Sequence, residues 1–172
     1  LIHLVAPDAM ILSARALDSD GRGNCFRIAQ AVAWSVDRGA HVVNMSLGET
    51  YHSKVLEDMV LEASTRGVIV TGAAGNRNTA DPREFPACDP NAFGVSAFDW
   101  NDHKAPFSNF EDQLDFAAPG DSDLLNGVPN MARCIIGPVP GNNYAIWEGT
   151  SFANAFVSGT AALIRAQRPD WP

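Results

Sequence analysis

The chain has 172 residues, 46% of them hydrophobic and 19% charged, which fits one globular domain long enough to bury a core. Its formal charge is −8, from 20 acidic against 12 basic residues, and this argues against a nucleic-acid partner, which needs a basic face. No apolar run approaches the roughly 18 residues of a membrane span, so no membrane partner is expected.

The chain opens at Leu1 without a basic stretch and an apolar run behind it, so it reads as a mature product or an excised piece. Ala9 to Leu17 predicts a strand, and Asp18-Ser19-Asp20-Gly21 supplies a turn. Asn24 then caps a helix in which Ile28, Ala29, Val32, Ala33 and Val36 recur at helical spacing until Gly39. His41 to Met45 reads as a buried strand, being short, apolar and β-branched. A second helix runs from Ser53 with Val55, Met59, Val60 and Ala63 inward and Gly67 as its end; Val68 to Thr71 is again a strand. Strands alternating with helices predict an α/β fold with a mostly parallel sheet and helical crossovers.

The middle is looser. Residues 76–91 read as loop, and Phe93 to Phe98 and Leu114 to Ala117 as further strands. Residues 119–145 carry many Gly, Pro and Asn residues and predict a long irregular excursion. From Gly149-Thr150-Ser151 to Ile164, small and apolar residues predict a helix buried on nearly every side. No repeat and no shift in composition marks a second domain. Cys25, Cys88 and Cys134 are far apart and form no CxxC pair, so no metal site is expected from them. One disulfide with a free thiol, or three thiols, both stay open.

In an open parallel sheet, ligand sites form at the carboxyl ends of the strands. Two turns fall there: Asn44-Met45-Ser46-Leu47-Gly48 and Gly72-Ala73-Ala74-Gly75-Asn76, whose small residues leave backbone open to close approach. Asn76 puts an amide donor at such an edge, or simply closes a turn. Ser151 starts a helix, where a hydroxyl lies near unpaired N–H groups and the positive end of the dipole; as a plain N-cap it would need no further role. Gly149-Thr150-Ser151-Phe152-Ala153 lacks the second glycine of the G-x-S-x-G elbow, and Gly72 and Gly75 match no phosphate-binding loop, so a nucleotide site is disfavoured.

At these residues the sequence resembles the subtilisin-like serine peptidases. The likeness runs from VAPDAMILSARALDSDGRG through VVNMSLG, GAAGN, FPA, FSNF and APG to GTSFANAFVSGTAALI, with the last block and GAAGN the most specific. The resemblance implies a three-layer sandwich around a mostly parallel sheet, incomplete on its amino-terminal side. By position, Ser151 matches the family's nucleophile and Asn76 the side-chain donor of its oxyanion hole. It also implies that Ser46, Leu47 and Gly48 form an edge for a substrate strand, and that Ala73, Ala74 and Gly75 line one wall of the primary specificity pocket. The expected partner is a peptide or protein substrate, cleaved by acyl transfer. Family habit suggests export.

The family's aspartate and histidine lie in a D-[ST]-G turn and an H-G-T helix start, and this chain has neither motif. Ile2-His3-Leu4-Val5 lacks the glycine and threonine, so His3 reads as a partly buried structural histidine; His41 opens a strand, His103 lies in a polar loop, and His52 could border the cleft. Asp8 reads as a turn residue. Without a base, a serine hydroxyl is a poor nucleophile, so the chain by itself is expected to have negligible peptidase activity. Ala155 and Phe156 stand where the family usually has proline and often histidine, a change expected to shift the helix start. No cofactor is required by this chemistry. Structural calcium is not indicated, as Asp18, Asp20, Asp121 and Asp123 read as turn residues. A fold retained only to bind peptides is the alternative.

Overall fold

The computed structural model describes residues 1–51, 53–125 and 127–171. Four strands, β1 (Val42–Met45), β2 (Ile69–Ala73), β3 (Phe93–Phe98) and β4 (Phe116–Pro119), form one parallel sheet in sequence order. Register runs Val42↔Ile69 to Met45↔Gly72, then Thr71↔Phe93 to Ala73↔Val95, then Val95↔Phe116 to Phe98↔Pro119. Strands this short hold together because both faces are covered.

On one face lie α2 (Cys25–Asp37) and α3 (Lys54–Thr65), packed on each other and on the sheet. Their apolar stripes, Ile28, Ala29, Val32 and Val36 with Leu56, Val60 and Ala63, join Met45, Val70 and Phe85 in the larger core cluster. The Asn24 side chain accepts the Arg27 N–H at 2.8 Å and so starts α2, a cap worth about 1 kcal/mol. On the other face α4 (Thr150–Gln167) crosses all four strands, and Ala153 packs with Val95, Ala97 and Ala118 in a second cluster. The short α1 (Ile2–Val5) rests on α4 at Gly159. The result is the three-layer α/β arrangement expected of the sequence.

Several local expectations need correction. Ala9 to Leu17 forms no strand: the segment runs unpaired past the outer edge of β1, with Met10 88% exposed, leaving a cleft of about 830 Å³ lined by α2, β1 and α4. Apolar alternation supports a strand only where a ladder partner is in reach. In α3, Val60 and Ala63 are buried and Met59 packs against the core as expected, but Val55 is exposed and Leu56 takes the inward place. Residues 119–145 are not simply irregular. They contain two short strands, β5 (Leu124–Leu125) and β6 (Val128–Pro129), a 3₁₀ turn (Met131–Arg133), and a hairpin of β7 (Ile135–Val139) with β8 (Asn143–Trp147). Gly137 and Pro138 belong to the residues that read as irregular, yet an isolated two-stranded ribbon tolerates both because it has open edges. Nor is α4 buried all round: Thr150, Ala153, Asn154, Ser158 and Gly159 are covered, while Leu163 and Ile164 face outward.

Candidate active site

The carboxyl ends of β1 and β2 meet the amino-terminal turn of α4, so one edge of the sheet gathers three segments far apart in sequence. The loop after β2 is fixed by Asn109, which is 2% exposed. Its Nδ2 donates to the Ala74 carbonyl at 2.9 Å, and its Oδ1 accepts the N–H of Arg77 at 2.9 Å and of Thr79 at 3.3 Å. Gly75 returns a carbonyl to the Asn109 N–H at 3.0 Å. Those bonds present the exposed Asn76 to α4.

Asn76 Oδ1 accepts both the Thr150 N–H, at 2.9 Å, and the Thr150 hydroxyl, at 3.0 Å. Thr150 Oγ1 in turn accepts the Gly75 N–H at 3.1 Å. The asparagine therefore caps α4 from a distant loop, and its Nδ2 donates to no described residue and faces Gly149. This amide has its oxygen fixed and its donor free.

Ser151 is the second residue of α4, not its N-cap, a position taken by Gly149. Its own first-turn N–H has no intrahelical acceptor. Its hydroxyl donates to the Ser46 carbonyl at 3.3 Å, and the Ser46 hydroxyl donates to the Ser151 carbonyl at 2.9 Å. Asn44 Nδ2 supports Ser46 Oγ at 3.0 Å. Beneath them Asn154, fully buried, donates through Nδ2 to Asn44 Oδ1 at 3.1 Å. Ser158 Oγ lies 2.8 Å from both Asn44 Oδ1 and Thr71 Oγ1. A polar seam thus ties α4 to the ends of β1 and β2.

The residues expected to form a substrate edge and a pocket wall, Ser46 to Gly48 and Ala73 to Gly75, follow β1 and close β2 at the same end of the sheet. Ser46, Leu47 and Gly48 follow the end of β1, and the next residue, Glu49, bridges Phe85, with N–H to carbonyl bonds of 3.1 and 2.9 Å. Ala73 and Ala74 are 4% and 0% exposed, so the wall they form with Gly75 is mostly backbone. The Glu49 carboxylate accepts the Cys25 thiol at 3.0 Å, a bond that raises the thiol's pKa. All three thiols are free.

No histidine among the described residues hydrogen-bonds Ser151. His3 is exposed rather than partly buried, its Nε2 2.9 Å from the Ala9 carbonyl oxygen. His41 is exposed just before β1, and His103 pairs with Asp99 at 3.6 Å on the surface. His52 lies outside the described residues. Ala155 and Phe156 sit within α4, which begins at Thr150. Asn109, Asn154 and Thr150 were not singled out from sequence; Asn109, within FSNF, was in view but has no marked chemistry by itself.

A family model described as the subtilase family matches residues 2–172. The chain belongs to that family. Among curated relatives, subtilisin BL of Lederbergia lenta is 39% identical over 167 residues, covering 97% of this chain and 57% of that protein. Alkaline elastase YaB of Bacillus sp. (strain YaB) is 38% identical over 97% of this chain and 41% of its own length. The chain thus spans about half the length of such subtilases. Among solved structures, a lanthipeptide protease superposes with a TM-score of 0.86 at 25% identity, over 99% of this chain and 61% of that one. A cold-adapted subtilisin-like serine proteinase gives 0.77 at 30% identity, over 89% and 52%. The subtilase fold accounts for the parallel sheet, for α4 across it, and for the meeting of the two turns.

Proposed function

We propose that this chain is the nucleophile-bearing portion of a serine endopeptidase, with peptides or proteins as substrates. The observation that carries the reading is Asn76: its oxygen is anchored to Thr150, its Nδ2 is free, and the next residue of α4 is Ser151. The Asn76 Nδ2 and the Ser151 backbone N–H supply two donors for one oxyanion.

A substrate strand pairs along Ser46 to Gly48 by main-chain bonds. Ser151 Oγ attacks the scissile carbonyl carbon, its proton passes to a base from outside the described residues, and negative charge develops on the carbonyl oxygen between the two donors. Collapse expels the amine, which takes that proton, and water then cleaves the acyl ester. At rest the Ser151 proton points at the Ser46 carbonyl, a neutral acceptor that does not activate it. No cofactor enters these steps.

Fluorophosphonate labelling is the test. The full-length protein is expected to be labelled stoichiometrically at Ser151, and Ser151→Ala to abolish the label, while this chain by itself stays unlabelled. A full-length protein that binds peptides but never labels would instead be a binding module.

A further inference from the structure

We infer that Glu84 sets the specificity of this cleft, selecting a cationic side chain on the residue that supplies the scissile carbonyl. This inference rests on the peptidase reading above for its substrate, but not for its pocket.

The slot between the edge Ser46–Gly48 and the wall Ala73–Gly75 is not empty. The Glu84 carboxylate spans it, with Oε2 against Gly48 and Oε1 against Gly75, so closely that a Cβ on either glycine would collide with it. Its place is fixed by the backbone. The neighbouring Phe85 exchanges two hydrogen bonds with Glu49, the residue after Gly48, and the Glu84 carbonyl accepts the Cys88 N–H at 3.0 Å.

The side chain of Glu84 is only 15% exposed. Its cationic partner is Arg77, with Nη2 3.0 Å from Oε1 and a side chain that is 46% exposed. The Arg77 side chain otherwise makes one long bond, to the Pro82 carbonyl at 3.4 Å. The carboxylate therefore already holds a guanidinium, on an arm that solvent can take back. Behind it, Arg83 is engaged by Glu111 at 3.3 Å, and both Glu84 and Asp81 push the buried Glu111 carboxyl further above its ordinary range. Three acids face two bases here.

A bulky apolar side chain entering the slot would strip water from this carboxylate, and an acidic one would meet like charge. A guanidinium or ammonium replaces Arg77 without leaving either charge unpaired.

Two readouts on the full-length protein test this. The first is kcat/KM on peptides that differ only in the residue before the cleaved bond. Arg and Lys are expected to exceed Phe and Glu by about tenfold or more, and Glu84→Gln to remove about ten- to a hundredfold from the cationic substrates while leaving Ala within about threefold. A ranking led by Ala or Phe and unchanged in Glu84→Gln overturns the inference and marks Glu84 as a plug. The second readout is benzamidine binding by NMR titration, which needs no catalysis. It is expected to weaken at least about tenfold in Glu84→Gln and to tighten in the surface variant Arg77→Ala, where the competing guanidinium is gone. Equal binding in wild type and both variants overturns the inference. Absence of fluorophosphonate labelling with Glu84-dependent benzamidine binding defeats the peptidase reading alone; labelling without discrimination by charge defeats this one alone.

Discussion

Replacing Asn109 with alanine tests whether the loop bearing Asn76 is held as described. The side chain supplies three hydrogen bonds, of which the one to the Ala74 carbonyl lies in a place with no water: Ala74 is 0% and Asn109 2% exposed. Leaving that carbonyl unpaired costs about 1–3 kcal/mol, and the two bonds to the Arg77 and Thr79 N–H groups, which solvent partly replaces, add about 0.5 kcal/mol each. The expected loss is therefore about 2–4 kcal/mol, a large share of the roughly 5–15 kcal/mol that holds an ordinary domain together. For a chain of this length it corresponds to a fall in Tm of roughly 5–15 °C. Equilibrium urea unfolding measures it, with the slope m expected to stay constant, since the surface exposed on unfolding hardly changes. A loss below about 0.5 kcal/mol, with m unchanged, would refute the claim that Asn109 clamps this loop.

Two further outcomes follow from the same geometry. In the full-length protein, Asn76→Ala is expected to lower kcat by about 10²–10³ with KM little changed, the range known for the corresponding donor of a subtilisin; unchanged kcat in steady-state assays would remove Asn76 from the reaction. Glu111, whose side chain is 3% exposed and whose oxygens have no hydrogen-bond partner among the described residues, is held above the ordinary carboxylate range, chiefly by burial and against the pull of Arg83. The folded state thus keeps this proton to higher pH than the unfolded chain, so stability falls as pH rises from about 4.3 through the raised value. Glu111→Gln should lack that component, and a wild-type-minus-variant difference in unfolding free energy that stays flat across the window would contradict it.

The parts of the fold visible in the sequence are those whose signal is local. Strand β3 matches its expected bounds, and β1 and β2 lie within a residue or two of theirs, because a strand buried on both faces is a short apolar run between turn residues. The segment 9–17 has the same look but not the same fate, since pairing depends on a neighbour that no local pattern specifies. The β7–β8 ribbon was hidden by its own Gly and Pro residues, which read as loop unless the partner strand is known. At the site, Ser151 and Asn76 were legible because motif residues carry them. Glu84 and Asn154 were not: a glutamate in a polar loop and an asparagine in an apolar helix gain meaning only from Gly48, Gly75 and Asn44, brought beside them by folding.

The outer side of β1 is an open sheet edge. Among the described residues β1 has no ladder partner on that side, so the sheet ends in a row of peptide groups beside the cleft bordered by residues 9–16. Such a seam is adhesive. A strand laid along it would find donors and acceptors already in line, so this edge is where the sheet has room to grow.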